Sequence, residues 1–448
     1  RLPALSMRTF PTYWIAPMNR KDQLFRYRCS LCGKEYDPSP EILVCPACQA
    51  KQDPKEPLRG VLEVHWDYPA LRKQIDSKGG NWDVFDFLPV EREFFPPIPV
   101  GNTPLWKPFG LWKRLGVGDL YLKDDGVNPT GSLKDRASFL VAAFARKYGR
   151  SAVAVASTGN AASSMAGVGA AAGISVRIFM PKSAPLAKRL QSLLYGAEVT
   201  LVEGTYDDAY DASLVYCRAH REVLSRNTAQ QPLTIEGKKT VALEIYRDLG
   251  RAPRRVYLSV GDGVILGGVY RGFEDLLRLG MIESMPEIVA VQAEGSSAIA
   301  RALQKGSFDR GVPSCTVADS ISVEIPRNGY LAIQKLNAYG GRVTLVSDRE
   351  ILEAQKKLAS GAGLFSEPAG AAAFAGFLKD LKVRQESGEG GSSGAKGGLS
   401  VAEGTSRGKQ GHNEGPTVIL LTGNGLKDVE AGLKALSSTN LDREGNPG

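Results

Sequence analysis

Residues 128–136 read NPTGSLKDR. Asn-Pro-Thr-Gly forms a turn and Ser132 suits a helix N-cap. Leu133, Ala137, Leu140, Val141 and Phe144 then share one helical face that ends near Gly149. This places Lys134 in the first turn of a helix. A cation there opposes the helix dipole, which lowers its pKa and suits an amine that condenses with a carbonyl. The plainer alternative is a solvated lysine. Residues 157–160 (STGN) follow an apolar run and open a small-residue helix. Free N–H groups at a helix start bind anions. Ser157 and Thr158 add hydroxyls there, Gly159 follows, and Asn160 adds a neutral amide; an ordinary strand-to-helix turn is the alternative. Residues 261–268 (GDGVILGG) repeat the arrangement, and their glycines let backbone amides approach a phosphate. The loop is not a dinucleotide G-x-G-x-x-G, because Leu266 holds the third position, and no G-x-x-x-x-G-K-[ST] occurs. Asp262 would bring a carboxylate beside a dianion, so its side chain is expected to turn away. Residues 422–428 (TGNGLKD) end the last apolar run and put the Thr422 hydroxyl at a strand's carboxyl end, where α/β sheets meet ligands. An amine, a carboxylate site, a phosphate cradle and a neutral hydroxyl could thus serve one ligand.

A separate chemistry lies near the start. Cys29, Cys32, Cys45 and Cys48 form two C-x2-C pairs. Two such turns aim four thiolates at one point, the tetrahedral S4 geometry that Zn2+ accepts. Gly33 and Pro46 suit the knuckle turns. Four cysteines close the coordination sphere, which makes a catalytic zinc unexpected. Two disulfides or four free thiols are the alternatives. Cys217 and Cys315 stand alone and read as buried packing residues.

The elements that position these groups alternate. Apolar runs at 152–156, 174–180, 199–202, 256–260, 288–292, 343–346 and 418–422 read as strands, with helices at 161–172, 185–195 and 207–224. Strand–helix alternation argues for α/β architecture with largely parallel sheets. Residues 385–416 are Gly/Ser-rich with few apolar side chains and read as a disordered insertion before the last core strand. The tail from 437 reads as loose too.

Composition bounds the class. A length of 448 residues allows two or three domains. With 43% hydrophobic and 23% charged residues, wholesale disorder is excluded. Six cysteines are too sparse for a disulfide scaffold. No run of 18 apolar residues suggests a membrane span, so no membrane partner is expected. The net charge of +8 is scattered, so no nucleic-acid partner is expected, while an anionic small substrate fits. Met7 could be a natural start, residues 1–20 lack a signal-peptide core, and a cytoplasmic enzyme is the default.

In their order, NPTGSLKDR, STGN, the glycine loop and TGNGLKD resemble the fold type II pyridoxal-phosphate enzymes, and above all the threonine synthases, over roughly residues 100–436. The cysteine segment is similar to the zinc-ribbon extension of some threonine synthases. The resemblance implies a tryptophan synthase beta-like α/β fold with two three-layer αβα domains and an N-terminal zinc ribbon. The expected division is an extension at 1–60 and a catalytic region at 61–448, with a smaller subdomain at about 150–235. It implies that Lys134 carries pyridoxal 5'-phosphate and shuttles protons, and that Asn160 bonds the cofactor's 3′ oxygen. Gly261, Asp262, Gly263 and Val264 would hold its phosphate through backbone amides. Thr422 would meet its pyridine nitrogen and leave it unprotonated, which favours elimination and replacement over transamination. Ser157, Thr158 and Gly159 would bind the substrate carboxylate. A homodimer acting on an amino acid, O-phospho-L-homoserine, to give threonine and phosphate is the implied function.

The sequence also departs from the family. A stretch like N-P-x-R-[IL]-E-G-Q-K-T is usual, but residues 231–240 read QPLTIEGKKT. Thr234 stands where the phosphate-gripping arginine is expected, Lys238 replaces Gln, and GDG replaces an Asn/Gly/Ala run. Arg226 or Lys188 could supply the missing cation, or both could be solvated surface bases. Two rival functions therefore stand: another elimination or replacement reaction (threonine/serine ammonia-lyase, or cysteate synthesis from phosphoserine), and a non-catalytic zinc-ribbon binding protein.

Overall fold

The structure, a computed structural model, describes residues 20–309, 312–386 and 415–444. Most of the expected insertion lies outside these residues, whereas the tail expected to be loose from 437 is a correction: helix Val429–Glu444 runs through its first eight residues. The described chain opens with strands β1 (Phe25–Cys29), β2 (Glu35–Tyr36) and β3 (Leu62–Trp66), an antiparallel sheet ordered β2-β1-β3 that carries the cysteines. Strands β4 (Leu105–Trp106) and β5 (Leu120–Asp124) come next. Then β6 (Ala152–Ala156), β7 (Ser175–Pro181), β8 (Glu198–Val202) and β9 (Val223–Ser225) form a parallel sheet ordered β8-β7-β6-β9. Finally β10 (Arg255–Ser259), β11 (Glu287–Ala293), β12 (Arg342–Val346) and β13 (Thr417–Leu421) join β4 and β5 in a six-stranded sheet. Its order is β12-β11-β10-β13-β5-β4, parallel throughout except for β4.

Period-two alternation explains why both parallel sheets are covered on two faces. In the larger sheet, Val256, Leu258, Ile288 and Leu420 enter one core while Tyr257, Val289, Val291 and Ile419 enter another. In the smaller, Val153, Val155 and Ile178 face one core and Ala154, Ala156 and Phe179 the opposite one. Each sheet is thus the centre of an αβα sandwich. The seven strands expected from the sequence are found within one residue of their bounds. The helix expected at 207–224 is a correction. It ends at Ala219, and Val223–Ser225 pairs with β6 instead, because Leu224 fills the core beside Val153. The expected Ser132 cap is another. The helix starts at Lys134 after Leu133, and the Ser132 Oγ lies 3.4 Å from the Lys134 N–H, while its backbone bridges to Gly423. Cys315, expected to be buried, is exposed.

A buried ionic cluster fixes the helix that carries Lys134. The Arg136 guanidinium donates to Asp125 at 2.6 and 2.8 Å and to Glu244 at 2.6 and 2.8 Å. Glu244 also accepts the Asn102 N–H at 2.9 Å and pairs with Lys123 of β5 at 2.9 Å. Buried charges persist only when paired and hydrogen-bonded in this way.

Candidate active site

β13 lies between β10 and β5, so the loop after it abuts the turn before the Lys134 helix. The Leu133 N–H donates to the Thr422 carbonyl and the Asn424 N–H to Gly131, both at 2.9 Å. The carboxyl end of β6 and that of β10 open onto the same place. Together they shape a cleft of about 880 Å3 lined by Lys134, by residues 156–161 and by residues 259–266. Four stretches far apart in the chain, each at a strand end or helix start, therefore meet as expected for an open α/β sheet. Ser157, Thr158, Gly159 and Asn160 line this cleft, and so do Gly261, Asp262, Gly263 and Val264. Thr422 is buried at the end of β13 and does not line it.

Lys134 is the first residue of helix Lys134–Lys147, and its Nζ has no ion-pair or hydrogen-bond partner among the described residues. Burial, first of all, lowers its pKa; Arg226 lowers it further, while Glu367 and Asp262 oppose both. The direction agrees with the dipole argument, but desolvation is the main cause. Residues 261–264 form the other pole. Helix Val264–Arg278 starts here without a side-chain cap, its first residues line the cleft, and Gly263 takes φ +84°, the left-handed region, to turn the chain into it. The Asp262 carboxylate accepts the Arg327 N–H at 3.0 Å, so that oxygen is held by backbone.

The cation question resolves unevenly. Thr234 is fully buried, and its hydroxyl donates to the Gln231 carbonyl at 2.8 Å, so it closes a helical turn rather than facing a ligand. One turn later, Lys238 lines the cleft, and its Nζ rests on the Thr234 carbonyl at 3.0 Å. A helical side chain leans back over the preceding turn, so Lys238 covers the place where a longer residue 234 would extend. Arg226 is no surface base: it is fully buried, bonds Ser138 and Thr228 at 3.3 Å, and leaves one Nη without a partner. Burial brings its pKa down to about 10. Lys188 belongs to helix Leu186–Leu194, but its side chain lies outside the described residues.

Glu367 was not singled out by the sequence. It precedes helix Pro368–Glu386 and is buried, and both carboxylate oxygens accept the Asn160 amide at 3.0 Å. Burial raises its pKa, while Asn160 and Lys134 work against that. An acid before a proline carries no chemical signature, and only packing brings it to Asn160. Lys427 of TGNGLKD is likewise drawn inward, donating to Ser163 at 2.8 Å, to the Thr130 carbonyl at 3.1 Å and to Gln191.

In the small sheet, the sulfur atoms of Cys29, Cys32, Cys45 and Cys48 all lie within 4.8 Å of one another. The pairs Cys29–Cys48 and Cys32–Cys45 are 3.7 Å apart, too far for disulfides. A tetrahedron with metal–sulfur bonds of about 2.3 Å has edges of roughly 3.8 Å. The four thiols can bind a metal ion.

A cofactor that joins a carbonyl to a phosphate could be held here by the Lys134 amine and the amides of residues 261–264. The chain belongs to the pyridoxal-phosphate dependent enzyme family, whose model matches residues 98–393. Threonine synthase of Methanosarcina acetivorans is 35% identical over 367 residues, 80% of this chain and 87% of that one. Threonine synthase of Methanocaldococcus jannaschii is 32% identical over 420 residues, 91% and 94% of the two chains. Within its family the chain is thus a threonine synthase-like lyase. Two solved structures share its fold. One is the processed form of threonine deaminase isoform 2 from Solanum lycopersicum, with TM-score 0.60, 22% identity and coverage of 75% of this chain and 87% of that one. The other is maize serine racemase, with TM-score 0.60, 18% identity and coverage of 85% and 99%.

Proposed function

We propose that the chain converts O-phospho-L-homoserine and water to L-threonine and phosphate. One observation carries the phosphorylated substrate. Burial lowers the pKa of Lys134, Arg226 and Lys238; Arg226 lowers that of both lysines further, Lys134 adds to the effect on Lys238, and none of the three has an ion-pair partner among the described residues. Buried unpaired cations cost several kcal/mol each, by order of magnitude, so such a cluster awaits anions. The amides of residues 261–264 and Lys134 account for the cofactor. Arg226 and Lys238 are left for a second phosphate.

Bound pyridoxal phosphate supplies the electron sink for negative charge developed on substrate carbons. The chain's own groups do the rest. The Lys134 Nζ, neutral more readily because it is buried, would take protons from substrate Cα and Cβ and return them to Cγ, from which phosphate has left, and to Cα, while water supplies the hydroxyl at Cβ and its remaining proton goes to the departing phosphate. Ser157, Thr158 and the Gly159 N–H hold the substrate carboxylate. Glu367 fixes the Asn160 amide toward the cofactor's 3′ oxygen, and the neutral Thr422 hydroxyl serves the pyridine nitrogen. Lys238 and Arg226 neutralise the departing phosphate by charge-assisted hydrogen bonds. The sulfur spacing supports Zn2+ in the four-cysteine site as a structural ion.

No helix among the described residues is long and apolar enough to cross a membrane. A cytoplasmic homodimer completes the reading, with sedimentation as its check. The deciding experiment offers the purified chain O-phosphohomoserine, phosphoserine, threonine and serine, and measures phosphate, ammonia and keto acid. Phosphate with threonine from the first substrate alone supports the proposal. Ammonia from threonine or serine without any reaction of phosphohomoserine replaces it with the ammonia-lyase reading.

A further inference from the structure

The anion-binding loop 261–264 is not held by its own helix alone. Behind it runs a short segment, residues 326–330, that touches the loop on one side and the cysteine module on the other. Toward the loop, the Arg327 N–H donates to the Asp262 carboxylate at 3.0 Å and the Asn328 N–H to the Asp262 carbonyl at 2.9 Å. The Asn328 side-chain amide donates to the Gly263 carbonyl at 3.0 Å, and Asn328 is fully buried. Toward the module, the Leu58 N–H donates to the Arg327 carbonyl at 3.0 Å. The Tyr330 hydroxyl donates to Glu56 at 2.8 Å, and the Arg59 guanidinium lies over the Tyr330 ring at 5.2 Å.

The stretch 56–61 is in turn locked to the cysteines. The Cys45 N–H donates to the Gly60 carbonyl at 2.8 Å, and the Ser30 N–H to Val61 at 3.0 Å. Gly60 stands at φ +80°, and a side chain there would meet the Cβ atoms of Cys45 and Cys48 at 3.0 Å. Apolar packing runs the same way: Val44, Leu58 and Val61 share one small core with Val264 and Leu331. The cysteine module therefore reaches Asp262 and Gly263 through hydrogen bonds of residues 327 and 328, and Val264, the first residue of the helix, by contact.

We infer that the four-cysteine module holds the loop 261–264 in place from behind, with Asn328 as the positioning residue between them. The inference rests on reading that loop as the seat of the cofactor phosphate. The amides of the loop bind an anion only while they converge. Their aim depends on Asp262 and Gly263, whose outward polar atoms are occupied by Arg327 and Asn328. A module that keeps its metal fixes residues 56–61, and these fix Arg327 and Tyr330.

The test uses the full chain and measures the dissociation constant of pyridoxal phosphate from its visible absorbance. Metal is removed with a chelator, its release is quantified, and far-UV circular dichroism reports the fold. Two variants are measured beside it. Asn328→Asp keeps the shape but removes the donor to Gly263; Tyr330→Phe opens the Glu56 clasp and leaves every cysteine untouched. Cofactor binding is expected to weaken roughly three- to tenfold for each lost hydrogen bond. For Asn328→Asp, KM for the amino-acid substrate should stay at the parent value once cofactor is saturating. In metal-free protein, Tyr330→Phe should add little, because the clasp is already released. Parent-like affinity in both variants overturns the inference, and so does simple addition of the metal and Tyr330→Phe effects. If metal removal unfolds the chain, the two variants decide alone. A parent protein that takes up no pyridoxal phosphate overturns the cofactor reading itself, before any variant is made.

Discussion

At the scale of single residues, Lys238 holds the surplus charge of the cleft in a place where burial opposes it. Lys238→Gln should raise KM for the phosphorylated substrate about tenfold to a hundredfold, the worth of a charge-assisted bond of ~1.5–3 kcal/mol. The visible spectrum of bound cofactor should not change, because the proposed seat of the cofactor phosphate is a different loop. The same variant should unfold at a higher temperature than the parent when no ligand is present, since it removes an uncompensated buried charge. Steady-state kinetics and a melting curve check the two halves. Glu367 makes a second prediction. Its negative charge raises the pKa of Lys134, against burial, which lowers it. Glu367→Gln should therefore lower the Lys134 pKa further and move the acid limb of the kcat/KM–pH profile, which the proposed role of a neutral Lys134 sets, to lower pH. A limb that stays in place or moves to higher pH would remove Glu367 from the proton chemistry.

Among the elements, helix Val264–Arg278 depends on the conformation of the residue just before it. Gly263→Ala would force φ +84° on a residue with a side chain and bring its Cβ to 3.1 Å from that of Ala332. A strain of about 1–3 kcal/mol follows, and cofactor titration should show weaker binding with the substrate KM little altered. The Lys134 helix depends on Glu244. Burial pushes the Glu244 carboxyl up, but Arg136 and Lys123 hold it well below the ordinary 4.5. Its stabilising share is complete above that pH and is lost as pH falls below it. Glu244→Gln should cost ~3–5 kcal/mol near neutrality, and the gap from the parent should close in strong acid, as unfolding curves across pH would record. Elements of this kind were readable where chemistry and a strand-to-helix switch coincide in one stretch, as in NPTGSLKDR, STGN and GDGV. They were not readable where packing decides. Val223–Ser225 continues a helical pattern and becomes a strand only because β6 has an open edge. Glu367 meets Asn160 across 207 positions, and Lys238 looks like one of two adjacent surface lysines until its helix is buried.

For the molecule as a whole, the unpaired cations make the unliganded state sensitive to pH and to anions. Lys134 and Lys238 lie below the ordinary 10.5, chiefly through burial, so the unfolded chain binds more protons than the folded one. These two groups should make the unliganded protein more stable as pH rises toward 10.5, and inorganic phosphate at a hundred times its dissociation constant should add about 2.7 kcal/mol. Melting temperatures across pH, with and without phosphate, test both. The strand order has a consequence for how the chain is made. β13 pairs with β5 on one side and β10 on the other, yet it is the last of the described strands to be synthesised. At about 5–20 residues per second, the ribosome needs on the order of ten seconds or more to travel from Ser259 to Thr417. Through that interval the nascent sheet has a gap at its centre, with two apolar strand edges awaiting a partner. Those edges are where the unfinished chain is open to pairing with other chains during translation.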